Sequence, residues 1–452
     1  LKARNDMTHI YDFSAAKRMV EIILKDYIPA FQRMKEEIED IKGYRMKYGN
    51  IVAGEEIVDE VLVSYFKAPK SYTAENMCEI NSHGGNIVVK KILELCLKNG
   101  AELAEPGEFT KRAFLNGRID LLQAESVIDI INAKSEREAK TGIKQLEGSL
   151  SNEIAKIKQE ILDVMVNIEV AIDYPEYDVE DVTNKQIIDM LNSVKAKLFK
   201  LEKSFDNGKI IKDGIKTAII GKPNAGKSSL LNKILKEERA IVTEYEGTTR
   251  DTIEEFVNIN GIPLKLIDTA GIRNAKDEVE KIGIAKAKEI AKEAELVIAI
   301  FDSTKHLTKE DIEIIELIKN KNAIIVLNKI DLEPVIDEND EHFSDIKSKI
   351  IKISALNNIG IEEIYEEITN LFNLNEINLD NEIVITNIRH KNLIEKSVES
   401  VNKTLKTIED KMPLDIVAIY IKEILENLGN ITGEVVTEDI INEIFAKFCL
   451  GK

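Results

Sequence analysis

Apolar positions along the chain change period twice, and the changes divide it. Residues 56–66 alternate apolar and polar, as a strand paired on one edge does, and 87–97 repeat like a helix. From residue 121 the period is helical: Leu121, Leu122, Ala124, Val127, Ile128 and Ile131, then Leu146, Leu150 and Ile154, recur at three- and four-residue steps. A helical run over 154–172 ends at the acidic breaker Asp173-Tyr174-Pro175-Glu176. A helix over 184–205 then leads to the turn pairs Asn207-Gly208 and Asp213-Gly214. Between 216 and 372 buried runs (215–220, 264–267, 323–327, 349–353) alternate with helices, which predicts a mostly parallel sheet covered on both faces. After the Asn- and Asp-rich stretch 373–381 come amphipathic helices over 389–409, 413–428 and 438–448, too few to enclose a core alone. They are expected to pack on 121–205, which makes the α/β segment an insertion whose two ends emerge close together. Near the start, 15–24 and 31–41 read as short helices, and Tyr48-Gly49-Asn50 as a turn.

The pattern predicts a multi-domain α/β and all-α protein. An α+β domain spans 1–118, a helical domain spans 119–212 and 374–452, and a Ras-like α/β domain over 213–373 is inserted in it. A length of 452 residues and a hydrophobic content of 44% suit about three ordinary folded domains. No apolar run approaches about 18 residues and no charged-then-apolar leader opens the chain, so a cytoplasmic protein without a membrane span is expected. Cys78, Cys96 and Cys449 lie far apart, and neither they nor the five histidines match a metal spacing.

The chemistry is densest at Gly221-Lys222-Pro223-Asn224-Ala225-Gly226-Lys227-Ser228, which follows a buried run and opens a helix at Ser229. That is the setting of a phosphate-binding loop. Gly221 and Gly226 let the backbone curl so that successive N–H groups point inward, and the helix adds its positive end. Lys227 reaches the β- and γ-phosphates, and the Ser228 hydroxyl suits the Mg²⁺ that bridges them. Asp268-Thr269-Ala270-Gly271 ends another strand with a carboxylate on the metal side and a glycine N–H for the γ-phosphate. Asn328-Lys329-Ile330-Asp331 ends a third and reads a base. Asp331 can accept from N1–H and the 2-amino group of guanine, where adenine offers a lone pair instead, so the nucleotide is GTP. Ser354-Ala355-Leu356 completes the base pocket. After Gly271 stands Ile272, where Ras-like GTPases carry the glutamine that orients the attacking water, and no arginine is poised as an internal finger.

Asn224, the run Gly247-Thr248-Thr249-Arg250-Asp251, and Asp277-Glu278-Val279-Glu280-Lys281-Ile282-Gly283 resemble the MnmE (TrmE) family of tRNA-modification GTPases. Residues 68–76, 79–85 and 106–121 and the terminal Cys449-Leu450-Gly451-Lys452 are similar to further motifs of that family. The resemblance implies a nucleotide site built from Asn224, Ala225, Gly226, Lys227, Ser228 and Ser229, then Thr243, Glu244, Tyr245, Glu246, Gly247, Thr248 and Thr249. Asp268, Thr269, Ala270, Gly271, Asn328, Lys329, Asp331, Ser354, Ala355 and Leu356 complete it. It implies Mg²⁺ at Ser228 and Thr249, and K⁺ at Asn224, Thr243, Tyr245 and Thr248 in the role of an arginine finger. It also implies Glu280 positioning the water, and a homodimer whose G domains meet face to face.

The same resemblance implies a tetrahydrofolate derivative, 5-formyl or 5,10-methylene, on the N-terminal domain. Glu79 then faces the pterin, Arg118 and Lys452 meet the carboxylates, and Cys449 is catalytic or near the reacting groups. The implied partner is the flavin-dependent protein MnmG, in a heterotetramer that builds carboxymethylaminomethyl- or aminomethyl-type groups at C5 of the wobble uridine of certain tRNAs. A net charge of −19 argues against broad phosphate-backbone binding, so a basic partner is expected to hold most of the tRNA. The family opens with a strand and a Gly-rich segment carrying a folate arginine, and residues 1–42, starting at Leu1, do not match it. His83-Gly84-Gly85 lacks the companion G-x-S-x-G of an esterase and reads as a tight turn. The alternative, a regulatory or ribosome-assembly GTPase acting only as a switch, leaves the similarity outside the G domain and the Cys-Leu-Gly-Lys tail unexplained.

Overall fold

The computed structural model describes residues 44–173, 180–237, 255–259, 261–267, 289–344, 346–374, 382–449 and 451. The chain divides into two compact units, 1–127 with 433–452, and 128–432. The predicted helices at 15–24 and 31–41 lie outside the described residues.

In the first unit β1 (Arg45–Ala53), β2 (Glu56–Phe66) and β3 (Met77–Asn81) form an antiparallel sheet in that order. Ile51, Val61 and Val63 pack with Ile92 of α1 (Asn86–Lys98). Tyr48-Gly49-Asn50 is not a turn: these residues pair with Leu62, Val61 and Glu60, and the chain reverses at Gly54-Glu55 instead. Tyr48 and Asn50 are exposed in β1, where turn-prone residues cost little and ladder pairing outweighs local preference. α2 (Glu108–Leu115) and α3 (Leu121–Ile131) follow.

The second unit continues with α4 (Glu136–Leu146), α5 (Ser149–Asp173) and α6 (Glu180–Asp213). The helix expected to stop at Phe205 runs on through Asn207-Gly208 to Asp213. Leu201, Phe205 and Ile211 keep the buried stripe going, and Gly208 occupies an inward position on it. There the backbone of Ile385 crosses so closely that a Cβ on residue 208 would overlap the Ile385 carbonyl oxygen. The glycine serves a close approach, and the turn falls at Gly214.

Next come β4 (Ile215–Gly221), α7 (Lys227–Glu237), β5 (Glu255–Ile259), β6 (Ile262–Leu266), β7 (Leu296–Asp302), α8 (Lys309–Ile318), β8 (Ala323–Asn328), β9 (Ile350–Ile353) and α9 (Ile361–Leu371). The sheet order is β5-β6-β4-β7-β8-β9, parallel except for the β5/β6 hairpin. Alternate residues of β4 show why both faces are covered. Ile219 joins a core with Leu230, Leu231 and Ile364, while Ala218 and Ile220 join another with Phe301, Ile314 and Ile318. This is the P-loop G domain that the alternating pattern predicts. α10 (Ile388–Glu409) and α11 (Leu414–Thr432) pack against α5 and α6, so the G domain is inserted within a helical bundle.

α12 (Glu438–Phe445) departs from expectation. It belongs to the first unit and packs on α2, not on the bundle. Buried Phe445 stands 6.4 Å from the Phe114 ring, and Lys111 Nζ donates to Asn442 Oδ1 at 2.6 Å. The apolar end of the helix, Phe445 with Phe448, closes over Gly107, where a Cβ would meet both.

The start of α4 joins the bundle to the G domain. Lys134 Nζ lies 3.8 Å from the Phe256 ring centroid in β5, and Arg137 donates to the Leu374 carbonyl at 3.3 Å while passing under Gly261 in the β5/β6 turn. Beneath them Glu138, 6% exposed, accepts from Lys134 N at 2.6 Å. Burial pushes its carboxyl up to about 7, against the opposing pull of Lys134 and Lys212. The folded chain therefore keeps a proton that the unfolded chain releases near 4.5, and this contribution to stability is full below that value and lost as pH rises to about 7. We expect up to roughly 3 kcal/mol of pH-dependent stability from this group. Glu138→Gln, which keeps an acceptor oxygen, should be the more stable protein at pH 8 and level with wild type at pH 4.5 by urea denaturation.

Candidate nucleotide site

β4 lies where the sheet order reverses, the crevice in which open α/β sheets bind ligands. Its tip feeds the loop 221–226. Asn224 takes a left-handed conformation at φ 63°, which Asn tolerates, and Gly226 sits at φ 110°. Ala225 is buried, whereas Ser228 and Ser229 stand exposed on the first turn of α7, where the backbone N–H groups of a helix start gather. Lys227 Nζ donates to the carbonyls of Gly221 and Lys222, both at 2.7 Å, and burial lowers its pKa. A phosphate here would replace those carbonyls as the ammonium's partner. The outer wall is tied down as well, since Lys222 Nζ donates to Thr308 Oγ1 at 2.8 Å and Asp311 Oδ2 at 3.1 Å.

Asn328, 3% exposed, links three segments. Its Nδ2 donates to Ala225 O at 2.8 Å and its Oδ1 accepts from Ala355 N at 3.0 Å, so the phosphate loop, 328–331 and 354–356 are tied together. Ser354 Oγ donates to Asp331 Oδ1 at 2.6 Å, which orients an otherwise exposed carboxylate. Leu356 is 77% exposed beside it, an apolar surface for a ring. Lys329, between Asn328 and Asp331 in sequence, donates to Asp302 Oδ2 at 2.6 Å. Sequence reasoning missed Asp302, although its signal was present: like Asn328, it is the polar residue closing a buried run. The Lys222 contacts with Thr308 and Asp311 had no sequence signal, because they join segments more than eighty residues apart.

Thr243, Glu244, Tyr245, Glu246, Gly247, Thr248, Thr249, Asp268, Thr269, Ala270, Gly271 and Glu280 lie outside the described residues. Of the expected cation ligands, Ser228 and Asn224 are described. An exposed hydroxyl at a helix start fits Mg²⁺, which keeps most of its ligands from phosphate and water, and the exposed Asn224 fits K⁺ as one oxygen among several. No group of three or more His, Cys, Asp or Glu able to hold a metal occurs among the described residues.

In the first unit Glu79 is exposed on β3, opposite Ser64. The end of α2 fixes the backbone of Arg118, whose N–H reaches Ala113 O at 3.0 Å. Its guanidinium sits 4.6 Å above the Tyr72 ring, and the Tyr72 hydroxyl is bonded to buried Thr110 at 2.9 Å. Cys449 is exposed, and its carbonyl accepts from Gly107 N at 3.3 Å, which anchors the tail in this unit; Lys452 lies outside the described residues. An acid for a pterin's donor edge, a base for carboxylates and a thiol fit a folate in kind. At the His83 turn, Gly85 N donates to His83 O at 2.8 Å and the ring bonds Asp59.

The family model described as "MnmE helical domain" matches residues 121–449, and that described as "GTP-binding protein TrmE N-terminus" matches 16–118, so the family match begins within the stretch 1–42 in which the opening motif is not found. The chain belongs to the MnmE family of tRNA modification GTPases. It is 48% identical over 427 residues to the tRNA modification GTPase MnmE of Acetivibrio thermocellus, covering 93% of this chain and 92% of that relative. The Clostridioides difficile protein of the same name is 49% identical over 417 residues, with 92% and 91% covered. Membership in the MnmE family makes the chain a GTP hydrolase acting in tRNA modification. Among the described residues no helix is long and apolar enough to cross a membrane.

Proposed function

We propose that this protein is a cytoplasmic, K⁺-dependent GTPase that works with MnmG on the wobble uridine of certain tRNAs, using a tetrahydrofolate one-carbon unit. The observation that carries the guanine part is Asp331, held by Ser354 within a body that includes the phosphate loop. The Lys227 ammonium and the amides of the α7 start would take the phosphates, Ser228 with Thr249 would hold Mg²⁺, and Asn224 with Thr243, Tyr245 and Thr248 would hold K⁺. When bound, K⁺ supplies the positive charge at the phosphates that an arginine finger gives elsewhere. Glu280 is the residue that would orient the water, a task Ile272 cannot perform, and pairing of two copies through their G domains would complete the site. The nucleotide step acts as a gate on the modification chemistry.

For that chemistry, Glu79, Arg118 and Lys452 would bind the folate and Cys449 would stand near the reacting groups. The Gly107–Cys449 backbone bond supports this, because it keeps the tail in the unit that carries Glu79 and Arg118. GTP turnover is expected to be about tenfold or more faster in K⁺ than in Na⁺; equal rates would remove the cation. Cys449→Ser should lose wobble-uridine modification in cells while hydrolysing GTP normally. Unmodified tRNA in wild-type cells would instead favour a pure switch.

A further inference from the structure

Lys329 is a non-glycine residue held at φ 72°, a left-handed conformation that costs a side-chain-bearing residue of order 1 kcal/mol or more. It stands between Asn328, whose amide is bonded to the protein at both its nitrogen and its oxygen, and Asp331, which the guanine reading places at the base. Something must hold that turn, and Asp302 is built to do so. It ends β7 directly opposite Asn328 in the β7/β8 ladder, and the backbone continues the pairing, with Ser303 N donating to Asn328 O at 3.0 Å. Its Oδ1 is fixed by Thr304 N at 3.1 Å and Thr304 Oγ1 at 2.7 Å, which aims Oδ2 at Lys329 Nζ, 2.6 Å away. The carboxylate is 11% exposed, so its ion pair with Lys329 is less weakened by solvent than a surface pair.

We infer that Asp302 is a positioning residue for guanine recognition. By gripping Lys329 it holds residue 329 in the left-handed turn that presents Asp331 to N1–H and the 2-amino group together. This rests on reading Asp331 as the guanine acceptor. The 2-amino group is the part of the base that most needs this alignment, since hypoxanthine lacks it and meets Asp331 through N1–H alone. A loosened turn therefore narrows the preference for GDP over IDP, not only the affinity for either.

The test measures dissociation constants of GDP and IDP by calorimetry on the full-length protein. Asp302→Asn, which keeps the Thr304 bonds but not the charge, should narrow the GDP:IDP preference about fivefold to tenfold. Lys329→Met should do the same while leaving β7 untouched, which covers the case in which Asp302→Asn does not fold. Lys329→Gly is the decisive variant: it loses the same ion pair, yet glycine takes φ 72° without strain, so it should narrow the preference less than Lys329→Met does, whatever either change costs in affinity. If Met and Gly at 329 narrow the preference equally, or if Asp302→Asn weakens GDP and IDP by the same factor, the inference is overturned. If the wild-type protein binds GDP and IDP alike, the guanine reading of Asp331 itself fails.

Discussion

Gly226→Ala is expected to lower GTP turnover and GDP affinity by about a thousandfold while the rest of the protein stays folded. Two effects add. The backbone sits at φ 110°, where a side chain is strained by roughly 1–3 kcal/mol. The new methyl would also overlap Asn328 Nδ2 and lie 3.2 Å from its Cγ. Asn328 has nowhere to retreat, since it is 3% exposed and bonded at both ends of its amide. Moving it breaks the bonds to Ala225 and Ala355, at about 1 kcal/mol or more each, and detaches the base pocket from the phosphate loop. Together these come to roughly 3–5 kcal/mol, which brackets the stated thousandfold. Retention of wild-type GDP affinity in the variant would refute this account of the loop.

Asp331→Asn should reverse base preference. Two hydrogen bonds from guanine to a carboxylate contribute roughly 1.5–3 kcal/mol each, so GTP affinity is expected to fall by about a thousandfold. The Ser354 hydroxyl decides which way the new amide points. It donates to Asp331 Oδ1, and the Asn carbonyl can go on accepting from it. That directs the NH₂ into the pocket, against the guanine 2-amino group but toward the xanthine 2-carbonyl. Xanthosine triphosphate should accordingly become the better substrate, with no loss of melting temperature because residue 331 is exposed. Competition assays with the two nucleotides would check it; a variant that still prefers GTP would show that another group reads the base.

The sequence by itself determined the elements whose chemistry is local. A phosphate loop announces itself because the curl, the helix start and the lysine must be contiguous, and the strands of the G domain are legible because burial on both faces leaves continuous apolar runs such as 215–220 and 323–327. The family motifs were legible for the same reason, each being short and unbroken. Where reading failed, a distant segment had overridden a local preference. Gly49 and Asn50 lie in a strand because β2 pairs with them. Gly208 lies in a helix because Ile385 crosses it, and α12 leaves the bundle because Phe445 finds Gly107 and Phe114.

Only the tertiary structure decided how the site is held. Asn328 gave its amide to the protein's own loops, Lys329 gave its charge to Asp302, and Lys222 gave its charge to Asp311. Such pairs join residues tens of positions apart, and no periodicity or spacing records them. Sequence names the groups that meet the ligand because chemistry restricts their types. The partners that aim those groups are chosen by which strands happen to be neighbours, which becomes visible only once the sheet order is known.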